Sequence, residues 1–187
     1  AAAVEALLHL LSVHDFMVTV PTLSHMVLAP ALRFMSASPY TLYLTGPTGV
    51  GKTMLIKCMM NLYMDLDPMG AEHGKLMSAH STANSLERVG WYIQDAPVVI
   101  DDLKSGVSDM QGIGRLIQHH YDAHGRARLK ATLELHQEYF IRGLLIITGE
   151  QLPHLKAACA SVIRRGLVLE VPIEGLRLDI ASQVHKS

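Results

Sequence analysis

Eight consecutive residues in the first third of the chain constrain its fold more than any other feature. They read Gly46, Pro47, Thr48, Gly49, Val50, Gly51, Lys52 and Thr53, the glycine-rich pattern of a phosphate-binding loop. A β-forming run at 40–44 precedes this phosphate loop, and a helix-forming run at 54–63 follows it. In that context the backbone N–H groups bind phosphate, Lys52 reaches the β- and γ-phosphates, and the Thr53 hydroxyl ligates Mg²⁺. The sequence therefore predicts a site for ATP and Mg²⁺.

Two adjacent acidic residues follow a second apolar run, about fifty residues after the phosphate loop. The run 96–100 leads into Asp101 and Asp102, a pattern typical of a buried parallel strand that ends at the carboxyl edge of a sheet. We expect Asp101 to hold Mg²⁺ through its water shell and Asp102 to orient or deprotonate the attacking water. Because Asp is also a preferred helix N-cap, a helix start is the alternative interpretation.

Composition limits the class of protein and its partners. The 187 residues are 49% apolar, with a mean hydropathy of +0.23, which suits one domain with a sizeable core. No apolar run approaches the length of a membrane span, and the first residues do not read as a signal peptide. The net charge of −1 means that any contact with DNA must be local. Cys58 and Cys159 are distant in sequence, which favours free buried thiols in a reducing, cytoplasmic setting.

Predicted strands and helices alternate along the chain. Helices are predicted near 4–11, from 23 onward with an interruption at Pro30, and at 81–93, 109–121 and from 175, with further strands at 76–79, 144–148 and 167–171. This alternation predicts an α/β fold with a five-stranded, mainly parallel sheet between helices. We expect one domain over 1–187, with 1–38 as an N-terminal helical part and 173–187 as the start of a truncated C-terminal segment.

Three further positions could complete an ATPase site. Thr148 ends a predicted buried strand, where its hydroxyl could reach the γ-phosphate or the attacking water, although threonine is also simply a good β residue. Arg164 and Arg165 come directly before the fifth predicted strand. An arginine there could enter a neighbouring subunit's nucleotide site and stabilise the charge on the transferring phosphoryl group. The alternative interpretation of the pair is solvated surface charge.

Basic and apolar residues partly alternate between the predicted helix 109–121 and the strand 144–148. If this segment forms a hairpin, its side chains Arg126, Arg128 and Lys130 could contact the phosphates of single-stranded DNA. An exposed loop would carry the same charges without that role. The sequence leaves both interpretations open.

The order of these segments resembles an AAA+-type ATPase, and more narrowly the ATPase domain of primase-helicase proteins of phages and integrative elements, which are related to superfamily III helicases. The resemblance rests on the phosphate loop, on 81–87 ahead of 95–102, on 142–153 and on the arginine pair before 167–170. It implies a P-loop NTPase with an AAA+-like three-layer sandwich, and a hexameric ring around single-stranded DNA. The same resemblance gives Thr148 the role called sensor one.

Two residues depart from the patterns of this resemblance. General AAA+ proteins end the acidic strand in Asp-Glu, whereas this chain has Asp101 and Asp102, as many superfamily III helicases do. The sensor-one position is often Asn, and here it is Thr148.

The leading hypothesis is an ATP-driven DNA helicase or translocase domain in the replication of a phage or mobile element, in the cytoplasm of a bacterial or phage-infected host cell. Its ATP site would be completed by a neighbouring subunit. The alternative is an ATP-dependent replication initiator or helicase loader without unwinding activity. A RecA-type motor or P-loop kinase is a third class, although outside 126–130 the sequence shows no arginine-rich cluster suited to a kinase lid.

Overall fold

A five-stranded parallel sheet organises the part of the chain that the computed structural model describes, which is residues 2–64, 66, 76–104, 109–122, 139–151 and 163–184. The strands are β1 (Thr41–Thr45), β2 (Met77–Ser78), β3 (Val98–Leu103), β4 (Leu145–Gly149) and β5 (Gly166–Glu170). The α-helices are α1 (Ala2–Ser12), α2 (Phe16–Leu28), α3 (Lys52–Met60), α4 (Ala83–Ile93), α5 (Met110–Tyr121) and α6 (Leu178–Val184). A 3-10 helix (Ala29–Phe34) follows α2 directly.

The order of the strands decides which loops meet. It is β2-β3-β4-β1-β5, and every neighbouring pair is parallel. β4 therefore lies between β1, which leads into the phosphate loop, and β3, which carries the two acidic residues. Because parallel strands end at the same edge of a sheet, the carboxyl ends of β1, β4 and β3 meet side by side. The predicted α/β fold with a mainly parallel five-stranded sheet is confirmed.

Alternate side chains of the central strands enter two separate cores. Leu42 and Leu44 of β1 pack with Ile146 into the core under α1, α2 and α3. Tyr43 and Ile147 point the other way, into the core under α4 and α5. This alternation is the period of two that a strand buried on both faces shows. The sheet is thus the middle layer of three, as the AAA+-like sandwich requires.

The N-terminal helix presents a different face to the core from the one that its sequence predicts, because Val4, Leu7, Leu8 and Leu11 recur at helical spacing and are expected to face inward. Leu7 and Leu8 are 42% and 54% exposed, so the core-facing interpretation of these two residues is wrong. Leu10 and Val13 are buried instead. Among the described elements, α1 packs mainly against α2 and α6, and the apolar spacing alone did not fix which of its residues face them.

Helix α2 begins seven residues before the predicted start at Leu23. Its N-cap is Asp15, whose side chain accepts a hydrogen bond of 2.7 Å from the backbone N–H of Met17. Pro21 lies inside this helix. Proline normally argues against a helix interior because it removes a hydrogen bond, and burial of neighbouring apolar residues overrides that local preference here.

Two buried histidines lie near the amino end of β4. The Nε2 atom of His25 is 3.2 Å from the carbonyl oxygen of Leu145, and that of His120 is 2.8 Å from the carbonyl oxygen of Gly143. Burial lowers the pKa of each histidine from 6.5 to about 4. Each ring is therefore neutral at pH 7, and each donates one hydrogen bond to a backbone carbonyl.

We expect the free energy of unfolding to fall as the pH is lowered from about 6.5 to about 4. In this window the unfolded chain protonates both histidines while the folded chain keeps them neutral. Each lowered pKa is equivalent to about 3 kcal/mol once the pH is below both values. Urea unfolding of the wild type and of His120→Gln, followed over this window, measures the effect. The variant should lose less stability on acidification, and an unchanged pH dependence would exclude His120 as its source.

Candidate functional site

The phosphate loop leaves β1 and ends at the N-terminus of α3. Gly49 and Gly51 have φ values of 88° and 86°, in the left-handed region that favours glycine. Gly51 is also the N-cap of α3, and a Cβ atom on it would lie 2.6 Å from the side chain of Leu176. The left-handed conformation explains why both positions are glycine, and at Gly51 a Cβ atom would also displace the Leu176 side chain. The loop therefore has the strand–loop–helix setting that its sequence predicts.

Lys52 projects from the first turn of α3 back into the loop. Its Nζ atom donates hydrogen bonds to the carbonyl oxygens of Gly46 and Pro47, at 2.7 and 2.8 Å. Burial lowers the pKa of the ammonium group, and nearby carboxylates, with Glu150 the strongest, act in the opposite direction. The ammonium thus lies at the centre of the loop, where phosphate oxygens could replace the two carbonyl oxygens as its partners.

Three side chains from three elements meet at the end of the phosphate loop. The Thr53 hydroxyl at the start of α3 donates to the two carboxylate oxygens of Asp101 in β3, at 3.0 and 3.1 Å. The Thr148 hydroxyl of β4 donates to Oδ1 of the same carboxylate and accepts the backbone N–H of Asp102 at 3.0 Å. Because β4 lies between β1 and β3, Thr148 links the acidic strand to the centre of the sheet. The structure thus brings these sequence-predicted residues together.

Asp102 departs from regular strand geometry. The predicted strand that carries the two acids near its carboxyl end is confirmed as β3, which continues through both of them to Leu103 and so excludes a helix N-cap. The pairing of β3 with β4 shifts register between Ile100 and Leu103, and Asp102 has a φ of 63°. Such a bulge re-aims side chains beside a site. The Asp102 carboxylate forms an ion pair of 3.0 Å with Lys104.

These groups line one cavity of about 550 Å³, within the usual size of a ligand pocket. Its lining residues are Thr48, Gly49, Gly51, Lys52, Thr53, Met54, Asp101, Asp102, Thr148, Glu150, Leu176 and Leu178. The polar lining comes from the phosphate loop and from the ends of β3 and β4, whereas Met54, Leu176 and Leu178 supply apolar surface. One cavity therefore offers both an anion-binding wall and an apolar wall, as a nucleotide requires.

The donor set beside the phosphate loop fits Mg²⁺. Asp101 and Thr53 offer carboxylate and hydroxyl oxygens, the hard ligands that this ion prefers. Among the described residues, no group of three His, Cys, Asp or Glu side chains could hold a metal ion by itself. Mg²⁺ typically binds through one or two carboxylates together with substrate phosphates. Asp101 and Thr53 match that mode.

Sequence reasoning missed Glu150. This residue directly follows β4, and its carboxylate accepts a hydrogen bond from the Thr48 hydroxyl in the phosphate loop. It also lines the cavity. An acid at the carboxyl end of a buried strand was the signal that selected Asp101, and the same signal applied to β4 would have found Glu150.

The two arginines lie at the opposite, amino edge of the sheet. Arg165 directly precedes β5, and its guanidinium lies 4.9 Å from the ring centroid of Tyr121 and 3.7 Å from a carboxylate oxygen of Asp122. Arg164 is exposed. Neither arginine lines the cavity of its own chain. A contribution by either one to nucleotide chemistry would therefore have to be made to another subunit.

Several sequence-based predictions fall outside the described residues. Arg126, Arg128 and Lys130 lie there, as does Cys159. Cys58 of α3 is free and fully buried, as predicted, and burial raises the pKa of its thiol to about 11. No helix among the described residues is long and apolar enough to cross a membrane.

Two solved structures resemble this chain over almost its whole length. SCCmec type IV Cch, described as an active helicase, matches 96% of the chain with a TM-score of 0.57 at 17% identity. The chain has the fold of that protein. The apo A form of the C-terminal region of NrS-1 matches 97% of the chain, also with a TM-score of 0.57, at 15% identity. The predicted relationship to helicase-like proteins is thus confirmed as a shared fold.

The chain corresponds to part of each of these two structures. The chain spans 31% of the SCCmec type IV Cch structure and 42% of the NrS-1 structure. No protein-family model and no curated protein sequence matches it. The likeness to known proteins is therefore carried by three-dimensional structure.

Proposed function

We propose that this chain is an ATP-hydrolysing domain of a DNA helicase or translocase that acts in the replication of a phage or mobile element. The observation that carries the proposal is the contact of Thr53 and Thr148 with Asp101, beside a phosphate loop whose Lys52 faces inward. The fold shared with SCCmec type IV Cch, a protein described as an active helicase, supports the motor function.

Each residue has a distinct role in this proposal. The backbone N–H groups of the phosphate loop and Lys52 bind the β- and γ-phosphates. Thr53 and Asp101 would hold Mg²⁺, which when bound neutralises charge on the phosphate oxygens. Asp102 orients or deprotonates the attacking water. Thr148 fixes the two acids relative to each other, because one hydroxyl contacts the carboxylate of Asp101 and the backbone N–H of Asp102.

A second subunit would complete the site. Arg164 is exposed at the amino edge of the sheet, where a neighbour can approach it, whereas Arg165 is engaged by Tyr121 and Asp122 of its own chain. We therefore favour Arg164 as the residue that stabilises the transferring phosphoryl group of an adjacent subunit. The oligomer would be a ring around single-stranded DNA, with hexameric symmetry inferred from the resemblance to AAA+ helicases.

The test is to measure ATP hydrolysis by the complete protein with and without single-stranded DNA, together with displacement of a strand from a tailed duplex. A helicase should show DNA-stimulated hydrolysis and ATP-dependent displacement. Stimulated hydrolysis without displacement would favour the replication initiator or helicase loader instead. Absence of hydrolysis with every DNA tested would overturn the ATPase assignment itself.

The basic segment gives a separate prediction about DNA. Replacing Arg126, Arg128 and Lys130 by Ala should weaken single-stranded DNA binding and flatten its salt dependence. Each phosphate contact that is lost lowers the slope of log affinity against log salt by about 0.7. Fluorescence anisotropy over a salt series measures this slope, and Arg115→Ala, at an exposed position of α5, is the control. A slope equal to that of the wild type would make the segment an ordinary solvated loop.

A further inference from the structure

Glu150 places a carboxylate against the phosphate loop. The residue follows β4 directly, and its Oε1 accepts the hydrogen bond of the Thr48 hydroxyl. Among the carboxylates near Lys52, that of Glu150 has the strongest electrostatic effect on the ammonium. Unlike Asp101 and Asp102, this acid has no role in the chemistry proposed above, and at short distance its charge repels a phosphate group.

The surrounding residues indicate which phosphate this acid would face. In a phosphate loop the lysine reaches the β- and γ-phosphates and the following hydroxyl binds the metal ion that bridges them. Thr53 contacts Asp101 in β3, so the γ-phosphate side of the cavity is the side toward the ends of β3 and β4. Glu150 lies on that side, two residues beyond Thr148.

The other acids of the cavity each have a partner outside the phosphate loop. Asp101 accepts hydrogen bonds from Thr53 and Thr148, and Asp102 forms an ion pair with Lys104. The hydrogen bond shown for Glu150 comes from the loop itself, whose residues must rearrange around a bound phosphate. Its charge is thus positioned to act on the ligand.

We propose that Glu150 sets the preference of the site between nucleoside triphosphate and diphosphate. This inference rests on the proposed ATP site. The carboxylate lies beside Thr48 and Lys52, in the region that a γ-phosphate must enter, so a triphosphate displaces it while a diphosphate leaves it in place. Glu150 therefore weakens ATP binding relative to ADP, and its return to Thr48 after cleavage favours departure of the released phosphate.

The substitution Glu150→Gln tests this role. The amide keeps the size of the side chain and an oxygen that can accept the Thr48 hydrogen bond, but it removes the charge. Calorimetric titration with ADP and with a non-hydrolysable ATP analogue, both in Mg²⁺, gives the two Kd values. We expect the ratio of the Kd for the analogue to the Kd for ADP to fall about tenfold, with the ADP value nearly unchanged.

A matched control tests whether the change in the Kd ratio requires the charge of Glu150 in particular. Glu174→Gln removes the same charge from a different cavity of about 420 Å³, which Pro47 also lines, and it should leave the ratio unaltered. If both nucleotides bind and Glu150→Gln leaves the ratio unchanged or tightens both equally, the inference is wrong and the ATP site stands. If the wild type binds neither nucleotide, the inference and the proposed function both fall. Because Glu150 is exposed, the variant should unfold at the wild-type temperature, which verifies that it is folded.

Discussion

Lys52→Ala is expected to abolish measurable ATP turnover and to weaken ATP binding by about 10²-fold or more. The substitution removes the ammonium group that the carbonyls of Gly46 and Pro47 hold at the centre of the phosphate loop. Without it, the negative charge of the β- and γ-phosphates has lost its direct cationic partner from α3. Titration with a non-hydrolysable ATP analogue measures the loss of binding, and release of inorganic phosphate measures turnover. Wild-type turnover in this variant would overturn the assignment of the site.

Asp102→Asn is the matched comparison, because it should stop hydrolysis while preserving nucleotide binding. The amide keeps the shape of the side chain but cannot accept a proton from water. Asn also tolerates the left-handed backbone of Asp102, so the bulge in β3 should be retained. An affinity loss as large as that of Lys52→Ala would show that Asp102 acts in binding, contrary to the proposed separation of roles.

Arg164→Ala is expected to slow ATP hydrolysis about 10³-fold in an assembled, DNA-stimulated oligomer, with ATP binding retained. The guanidinium is exposed at the amino edge of the sheet and outside the cavity of its own chain. Arg165→Ala should differ, because the Arg165 guanidinium packs on Tyr121 and pairs with Asp122. We expect Arg165→Ala to lower the temperature of unfolding and to have little effect on the rate of hydrolysis.

Oligomers that contain two different variants test directly whether Arg164 acts on a neighbouring subunit. A Lys52→Ala subunit keeps its arginines, and an Arg164→Ala subunit keeps its phosphate loop, so mixing two inactive proteins should restore part of the hydrolysis. Arg115→Ala, an exposed arginine of α5, serves as the control and should hydrolyse ATP at the wild-type rate. If neither Arg164→Ala nor Arg165→Ala slows ATP hydrolysis by the assembled oligomer, the pair is surface charge and another residue completes the neighbouring subunit's site.

Sequence patterns predicted the elements whose signals are local. The run 40–44 corresponds to β1, the run 109–121 to α5, and Thr82 is the N-cap of α4 within the predicted cap segment 81–84. These elements follow the periodicities of apolar residues and the chemistry of helix caps, both of which involve only near neighbours. The phosphate loop was predictable for the same reason.

Features that depend on packing between distant segments were not predictable from local patterns. Pro21 lies inside α2 although proline normally breaks a helix, and the bulge at Asp102 arises from the pairing of β3 with β4. The hydrogen bond from Thr48 to Glu150 joins residues 102 positions apart. Such contacts require the order of the strands, which no single stretch of sequence contains.

The phosphate loop and Arg164 lie at opposite ends of the parallel strands, so the full length of a strand separates them within one chain. A five-residue strand such as β5 is about 16 Å long, so an arginine before it cannot reach a phosphate loop at the opposite edge of the same chain. If Arg164 completes the site, a lone subunit is catalytically incomplete however well it folds. Specific activity should then rise with protein concentration and vanish on dilution, which ties turnover to the abundance of the protein in the cell.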